Sequence, residues 1–341
     1  MNVPLLQSVL KEEKQPAFRL EQAVRAYFVD LVPSWDDVTT FSKSMRETLA
    51  AKAPWSSIEE AQIQESNDGK TVKFLFACAD GEKIETVLIR ADDGRNTVCV
   101  SSQIGCPMAC AFCATGTMGF IRNLTADEII DQVIHVARWL KLKDGHVTNI
   151  VYMGMGEPFH NYDEVMKSIH VLHDQNGFNL GSRHFTISTC GVVPGILRLA
   201  DEPMQINLAV SLHSAIDATR SKLMPVNKAY PLAKLMKAIE TYTGKTNRKV
   251  FFEYLLLNGV NDTTEEAAAL TRLIMKNGRL YHVNLIAYHD TKTFVGTPAD
   301  RRKSFMVKLM RQGVPVTHRI SFGEDIDAAC GQLAVKEQPQ V

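Results

Sequence analysis

The chain has 341 residues, and 45% of them are hydrophobic, which is enough for one large domain, or a large domain and a small one, with a sizeable core. Lysine plus arginine equals aspartate plus glutamate at 38 each, so the overall basic charge that marks many nucleic-acid-binding proteins is absent. No stretch of about 18 apolar residues occurs, which excludes a membrane-spanning helix. Residues 1–14 lack the apolar segment of a secretory signal. We therefore expect a cytoplasmic protein whose thiols stay reduced.

Residues 1–57 are predicted to form a small helical accessory domain. Helical patterns run through residues 19–29 and 40–51, and Pro33 to Asp37 separates them. Such a domain either has a function of its own or caps its neighbour, and the pattern is compatible with both.

Residues 58–95 are predicted to form a β-hairpin extension and a linker. Two β-rich runs, at residues 72–76 and 84–89, lie on either side of Asp80-Gly81. An aspartate–glycine pair between such runs is a strong hairpin signal.

From residue 96 to residue 335 the pattern alternates between strand and helix. The predicted strands cover residues 96–102, 147–153, 184–189, 206–212, 249–256, 281–287 and 314–320. This alternation is typical of a parallel sheet with helices on the outside. About six strand–helix units are fewer than the eight of a closed barrel, so the fold class that we expect is α/β, with a partial (β/α)6 barrel. Residues 336–341 are predicted to be a C-terminal tail.

Three cysteines lie close together after the first of these strands. Cys106, Cys110 and Cys113 form a C-x-x-x-C-x-x-C run. Soft thiolates select iron–sulfur clusters, zinc or copper(I). Closed zinc sites and most four-iron clusters have four protein ligands, whereas three thiolates leave one iron open for another ligand. The run therefore favours a cluster with an open iron.

The cysteine run is also compatible with zinc binding and with disulfide formation. A zinc site would need a distant fourth ligand, and it predicts no iron in anaerobically purified protein. Disulfides are possible chemically, although the lack of a secretory signal argues against them.

Further candidate ligands lie where predicted strands end. The loop Met153–Pro158 contains Gly156 and Glu157. Glycine allows a close backbone approach to a ligand, and a carboxylate can accept a hydrogen bond from an amine. Ser188 and the segment Ser211–His213 follow later strands, at the positions where a barrel exposes its ligand-binding groups. Taken singly, each is equally well explained as an ordinary turn or strand-end residue.

A lone cysteine follows the last predicted strand. Cys330 lies between small residues, which would leave its thiol accessible as a nucleophile. The alternative is a small core residue.

Together these motifs resemble those of the radical S-adenosylmethionine (SAM) RNA methyltransferase family of RlmN and Cfr. The matching segments are residues 105–116, 119–125, 153–158, 188–189, 211–213, 223–227 and 325–333. The resemblance covers nearly the whole chain, and the segment around Cys330 is peculiar to this family among radical SAM proteins. The chain combines features of the RlmN and Cfr branches.

The resemblance implies the cofactors and their ligands. Cys106, Cys110 and Cys113 would hold one 4Fe-4S cluster, and its open iron would bind the amino and carboxylate groups of SAM. The SAM contacts implied are Gly156, Glu157, Ser188, Ser211, Leu212, His213 and His289. His289 stands where both branches carry asparagine.

The resemblance also implies a reaction, in which two SAM molecules are used per turnover to methylate carbon 2 or carbon 8 of an adenosine. Cys330 would carry the methyl group, and Glu85 would accept the ring proton. Attack of Cys99 on Cys330 would release the product and leave a transient disulfide.

The partners implied are RNA and an electron donor such as a flavodoxin-type reductant, with no membrane and a monomeric chain. The RNA is 23S rRNA, with tRNA added for the RlmN branch, and the helical domain at residues 1–57 is a candidate RNA-binding element. The target base must be unstacked to react. The alternatives are the same chemistry on tRNA or another RNA, and a non-catalytic iron–sulfur RNA-binding protein.

Overall fold

The computed structural model describes residues 1–276, 280–289, 291, 293–319 and 322–335, so the predicted tail at 336–341 lies outside the described residues. The strands are β1 (Ile58–Glu65), β2 (Thr71–Cys78), β3 (Lys83–Arg90), β4 (Asn96–Cys99), β5 (Gln103–Gly105), β6 (Phe120–Asn123), β7 (Asn149–Tyr152), β8 (Phe185–Thr189), β9 (Asn207–Ser211), β10 (Val250–Leu256), β11 (Tyr281–Ala287) and β12 (Val316–Arg319). The helices are α1 (Val3–Glu12), α2 (Phe18–Phe28), α3 (Lys43–Lys52), α4 (Ala114–Thr117), α5 (Ala126–Lys141), α6 (Tyr162–His173), α7 (Val193–Ala200), α8 (Asp217–Leu223), α9 (Leu232–Thr246), α10 (Thr264–Met275) and α11 (Ala299–Arg311).

Seven parallel strands form the half of the fold that carries the predicted site. They lie in the order β4-β7-β8-β9-β10-β11-β12, and each pairs with the next in parallel register. All seven were predicted from the sequence. Among the described strands, β12 pairs only with β11, so the sheet stays open. The expectation of a partial barrel is confirmed.

Antiparallel strands extend the sheet beyond β4. The predicted hairpin is present as β2 and β3, which pair from Thr71↔Ile89 to Ala77↔Lys83, and β3 pairs with β4. The additional edge strand β1 was not predicted. Because β1 is polar and mostly exposed, it lacks the apolar alternation that reveals a strand.

A second, two-stranded sheet of β5 and β6 encloses the cysteine run. Neither strand was predicted. Strands of three and four residues are too short to show a period of two.

The N-terminal helical region contacts the barrel helix α5 through Asp131. Asp131 of α5 accepts hydrogen bonds from the amide and the hydroxyl of Ser57, at 2.6 and 2.7 Å, and from the hydroxyl of Tyr27. The helical prediction for this region is confirmed, while the domain boundaries stay a prediction. No helix in the described ranges combines the length and the hydropathy needed to cross a bilayer.

Helix α7 supports the loop that carries Glu157. Gly195 of α7 lies directly against the ring of Phe159, and a Cβ built on Gly195 would be 2.3 Å from Cγ of that ring. A side chain at Gly195 would therefore push Phe159 and the adjoining loop away.

Replacing Gly195 with alanine is expected to lower the free energy of unfolding by about 1–3 kcal/mol, since the added methyl group overpacks a filled site. Gly244 of α9 is the matched control, because a Cβ there meets nothing within 4 Å and alanine favours a helix by about 0.8–1.0 kcal/mol. Urea unfolding of both variants measures the difference. Equal effects of the two substitutions would contradict the packing argument.

Candidate active site

A cavity of about 180 Å³ lies at the carboxyl ends of the parallel strands. Ten of the site residues expected from the sequence line it: Cys99, Cys106, Cys110, Cys113, Gly156, Glu157, Ser188, Ser211, His213 and Cys330. A larger cleft of about 1320 Å³ lies near α2, the end of α5 and the loop at residues 175–181, and none of the predicted site residues lines it.

The cysteine loop is held in place by backbone contacts on several sides. The amide of Cys106 donates to the carbonyl of Gly119 at 2.8 Å, and the amide of Ala111 donates to the carbonyl of Leu223 at 2.9 Å. Gly105 has φ +70°, and a Cβ there would be 1.9 Å from the carbonyl oxygen of Gly119. The β5–β6 ribbon thus closes tightly behind the first cysteine, and only glycine fits at its base.

The environment of Cys106 and Cys110 disfavours their thiolate forms unless a cation is bound. Burial raises the pKa of Cys106 to about 12, and burial followed by the charges of Cys113 and Cys106 raises the pKa of Cys110. A metal centre offsets this cost by binding the thiolate form.

The geometry of these thiols bears on which metal centre they would hold. Among the described residues, no three His, Cys, Asp or Glu side chains are placed to share one metal ion. A zinc site requires such convergence on one ion, whereas each thiolate of a four-iron cluster binds a different iron. The donor set therefore fits a cluster better than zinc.

Glu157 is a buried carboxylate that pairs with backbone amides. It is 3% exposed, and its two oxygens accept from the amides of Phe159 at 3.1 Å and Cys190 at 2.8 Å. No lysine or arginine in the described part of the chain forms an ion pair with it. A buried anion without a cation favours binding of a positively charged ligand group, as the amino group of SAM would be.

Gly156 lets the backbone of this loop pass close to Gln103. Its φ is +100°, and a Cβ would lie 2.5 Å from Cβ of Gln103. The carbonyl of that Gln103 side chain accepts from the amide of Glu157 at 2.8 Å, which fixes the loop.

His213 is a neutral imidazole in the cavity wall. Burial, and then the charge of Arg220, lowers its pKa to about 3. Nδ1 accepts from the amide of Leu255 at 3.0 Å, so the ring proton is on Nε2, which can donate to a ligand. The ring meets Phe112 of the cysteine loop edge to face, with centroids 4.6 Å apart.

Cys99 and Cys330 line the same cavity from opposite ends of the chain. Cys99 ends β4, and Cys330 lies in the segment after β12, with its thiol exposed into the cavity. Burial and the neighbouring Cys330 raise the pKa of Cys99 to about 12. Because both residues line one cavity, the structure brings together the two cysteines that the resemblance paired.

Comparisons with known proteins agree with this geometry. Residues 100–271 match the family model of the radical SAM superfamily. A protein of Staphylococcus haemolyticus named as a probable dual-specificity RNA methyltransferase RlmN is 47% identical over 98% of this chain and 91% of its own length. Another of that name, from Chloroflexus aurantiacus, is 45% identical over the same shares of the two chains.

A solved structure is also similar to this chain over nearly its whole length. The crystal structure of a radical SAM methyltransferase from Sphaerobacter thermophilus superposes with a TM-score of 0.93 at 43% identity, covering 98% of this chain and 97% of that one. The chain belongs to the RlmN family of radical SAM RNA methyltransferases. Radical SAM proteins use a 4Fe-4S cluster and SAM, and the cysteine loop and Glu157 are the residues that fit these groups here.

Three residues predicted for the RlmN-type site do not line the cavity. Glu85 is buried on β3, 3.4 Å from the ammonium group of Lys73, and it accepts from the amide of Ala334 at 3.0 Å. Leu212 is fully buried, and its amide donates to the carbonyl of Glu253. His289 is 7% exposed, with Nδ1 3.3 Å from a carboxylate oxygen of Glu324. Their roles stay predictions.

Polar residues of the cavity wall that the sequence analysis missed include Cys190 and Arg319. Cys190 was not among the predicted site residues, yet it lines the cavity and its amide donates to a carboxylate oxygen of Glu157 at 2.8 Å. Arg319 ends β12, with its guanidinium 3.5 Å from the carboxylate of Glu253 and 3.6 Å from the sulfur of Met153. The available signal for Arg319 was a basic residue at the carboxyl end of the last strand.

Replacing Arg319 with glutamine is expected to raise the pKa of Cys330. Burial raises that pKa in the native chain, and the positive charge of Arg319 lowers it. Without this charge a smaller fraction of Cys330 is thiolate at a given pH, so the pH profile of its alkylation by iodoacetamide shifts to higher pH. Peptide mass spectrometry measures the modification. Arg311→Gln, at an exposed position on α11, is the control and should leave the profile unchanged. A native alkylation profile in Arg319→Gln would refute the effect of the Arg319 charge on the pKa of Cys330.

Proposed function

We propose that this RlmN-type enzyme methylates a ring carbon of an adenosine in RNA, with Cys330 as the methyl carrier and Cys99 as the resolving thiol. The observation that supports this most is that both thiols line one cavity with the three-cysteine loop and Glu157. A protein that only bound RNA would need neither thiol.

The residues of the cavity have separate tasks in this proposal. When bound, the cluster supplies one electron and SAM supplies the methyl group and the radical chemistry. Glu157 orients the amino group of SAM, and the turn at Gly156 lets the backbone approach it. Ser188, Ser211 and His213 provide further polar contacts for SAM from neighbouring strand ends.

Cys330 and Cys99 form and break the covalent bonds to the substrate. Cys330 would lose its thiol proton when its sulfur accepts the methyl group. The methyl carbon would then give one hydrogen atom to the radical that SAM supplies and bond to the adenine ring, and the adduct would lose the ring proton and return the electron that the cluster had supplied. Attack of the Cys99 thiolate on the sulfur of Cys330 would form a disulfide, and the product carbon would leave with the electron pair of the broken carbon–sulfur bond and take up a proton to become the methyl group of the product. A reductant must then restore both thiols.

Glu85 is the proposed acceptor of the ring proton. Its side chain is on the same face of β3 as Val87 and Ile89, which line the cavity. The amide of Ala334 and the ammonium group of Lys73 cover its carboxylate. The adenine ring of the substrate would therefore reach Glu85 only after the segment around Ala334 shifts.

The proposed substrate is an adenosine of 23S rRNA, methylated at carbon 2 or carbon 8, with two SAM molecules used per turnover. The name "dual-specificity" carried by the relatives supports a second RNA substrate, which we propose is tRNA. We further propose a monomer in the cytoplasm that receives electrons from a flavodoxin-type donor. His289 and Leu212 are kept as proposed SAM contacts.

Mass spectrometry of total RNA from a knockout strain and a complemented strain tests the reaction. The knockout should lose one methyladenosine from rRNA, and comparison with 2-methyladenosine and 8-methyladenosine standards should give the position. No change in any RNA nucleoside would refute the proposal.

Replacing Cys330 with alanine is expected to abolish the methylated product and to leave the visible absorbance of the iron–sulfur cluster intact, since Cys330 is not a proposed cluster ligand. Liquid chromatography of the digested RNA measures the product. Cys78→Ala removes a buried thiol that does not line the cavity, and this variant should keep its activity. Full methylation by Cys330→Ala would exclude the carrier role.

A further inference from the structure

Arg220 of α8 is a completely buried positive charge. It is 0% exposed, and its guanidinium donates only to uncharged acceptors. These are the carbonyls of Leu212 at 3.1 Å, Cys190 at 2.7 Å and Ser211 at 3.2 Å, and the side-chain oxygen of Asn227 at 2.7 Å. No carboxylate of the described residues is within ion-pair distance of this guanidinium.

The nearest anion that hydrogen bonds link to Arg220 is Asp217, which lies at the surface and is connected only through the side chain of Asn227. Asn227 accepts from Arg220 and donates to the carboxylate of Asp217 at 2.9 Å, and Asp217 is exposed. Arg122 differs, since it pairs directly with Asp80 and Glu128. Burying a cation without a direct counter-ion is costly, so such a group is expected where another negative charge will be present.

The position of Arg220 indicates that the thiolates of the cysteine loop supply that negative charge. Two of its acceptors, Cys190 and Ser211, line the cavity together with the cysteines. At the end of its helix, the carbonyl of Leu223 accepts from the amide of Ala111, the residue after Cys110.

We propose that Arg220 is the fixed positive charge that compensates the three-cysteine iron–sulfur cluster and raises its reduction potential. Three thiolates give the site negative charge, and reduction by one electron from the donor adds one more without a proton. A nearby cation in a low-dielectric interior stabilises the reduced form more than the oxidised form. Arginine suits this role because it stays protonated in proteins.

This inference rests on the cluster of the proposed function, but not on the RNA substrate or the methyl carrier. Its test is the midpoint potential of the anaerobically reconstituted enzyme, followed by electron paramagnetic resonance during titration with dithionite. Iron content and urea unfolding of each variant are measured in parallel. If the native enzyme shows no cluster signal, the proposed function itself fails.

Four variants separate charge from packing. Arg220→Met removes the buried charge and should lower the midpoint potential, whereas Arg220→Lys keeps the charge, loses hydrogen bonds and should give a potential closer to the native value. Lys222→Met is the matched control, because it removes an exposed positive charge from the same helix and should leave the potential unchanged.

The fourth variant, the double substitution Asp217→Asn, Asn227→Asp, tests the same charge with Arg220 still present. It exchanges a carboxylate and an amide, keeps the net charge, and places the carboxylate in direct contact with Arg220. We expect a lower potential, because a nearby anion offsets the field of the guanidinium. This variant also covers the case in which Arg220→Met fails to fold or to bind iron.

The results decide the role of Arg220 as follows. A lower potential in Arg220→Met than in Arg220→Lys, with Lys222→Met unchanged, supports it; where Arg220→Met holds no cluster, a lower potential in the double variant supports it. A native potential in a folded, iron-loaded Arg220→Met, or an equal fall in Arg220→Lys and Arg220→Met, overturns it. If Arg220→Met holds no cluster, a native potential in the double variant overturns it as well.

Discussion

The active site depends on the parallel register of the strands from β4 to β12. Parallel strands all end at the same edge of a sheet, so the segments that follow them meet there however far apart they are in the chain. Cys99, Ser188, Ser211 and Arg319 lie at the ends of four of these strands, and Glu157 follows a fifth. A change in the pairing of one strand would move its side chain away from all the others.

Buried charges prepare this edge for charged cofactors. Glu157 is held by two backbone amides and lacks a cationic partner among the described residues. Arg220 is held by carbonyls and an amide oxygen, and among the same residues it lacks a direct anionic partner. The protein has met the cost of desolvating both groups before any cofactor binds. Their hydrogen bonds also fix their positions, so little reorganisation is needed when the cofactors enter.

The antiparallel extension helps to hold the segment that carries Cys330. Val87 of β3 forms a small apolar cluster with Met155, Ala328 and Leu333, separate from the main core. The hydroxyl of Thr115 donates to the carbonyl of Leu333 at 2.6 Å. The hairpin and the cysteine loop therefore hold the segment that carries Cys330 over the cavity, which explains why the barrel alone would not complete the site.

The sequence by itself determined the alternation of strands and helices, the partial barrel and the cysteine run, because these depend on local periodicity and spacing. It missed β1, β5 and β6, whose polarity or short length hides that periodicity. Only the tertiary structure decided which groups share the cavity. Cys190, Arg220 and Arg319 look ordinary in the sequence, since burial and the absence or presence of a counter-ion depend on residues far away in the chain.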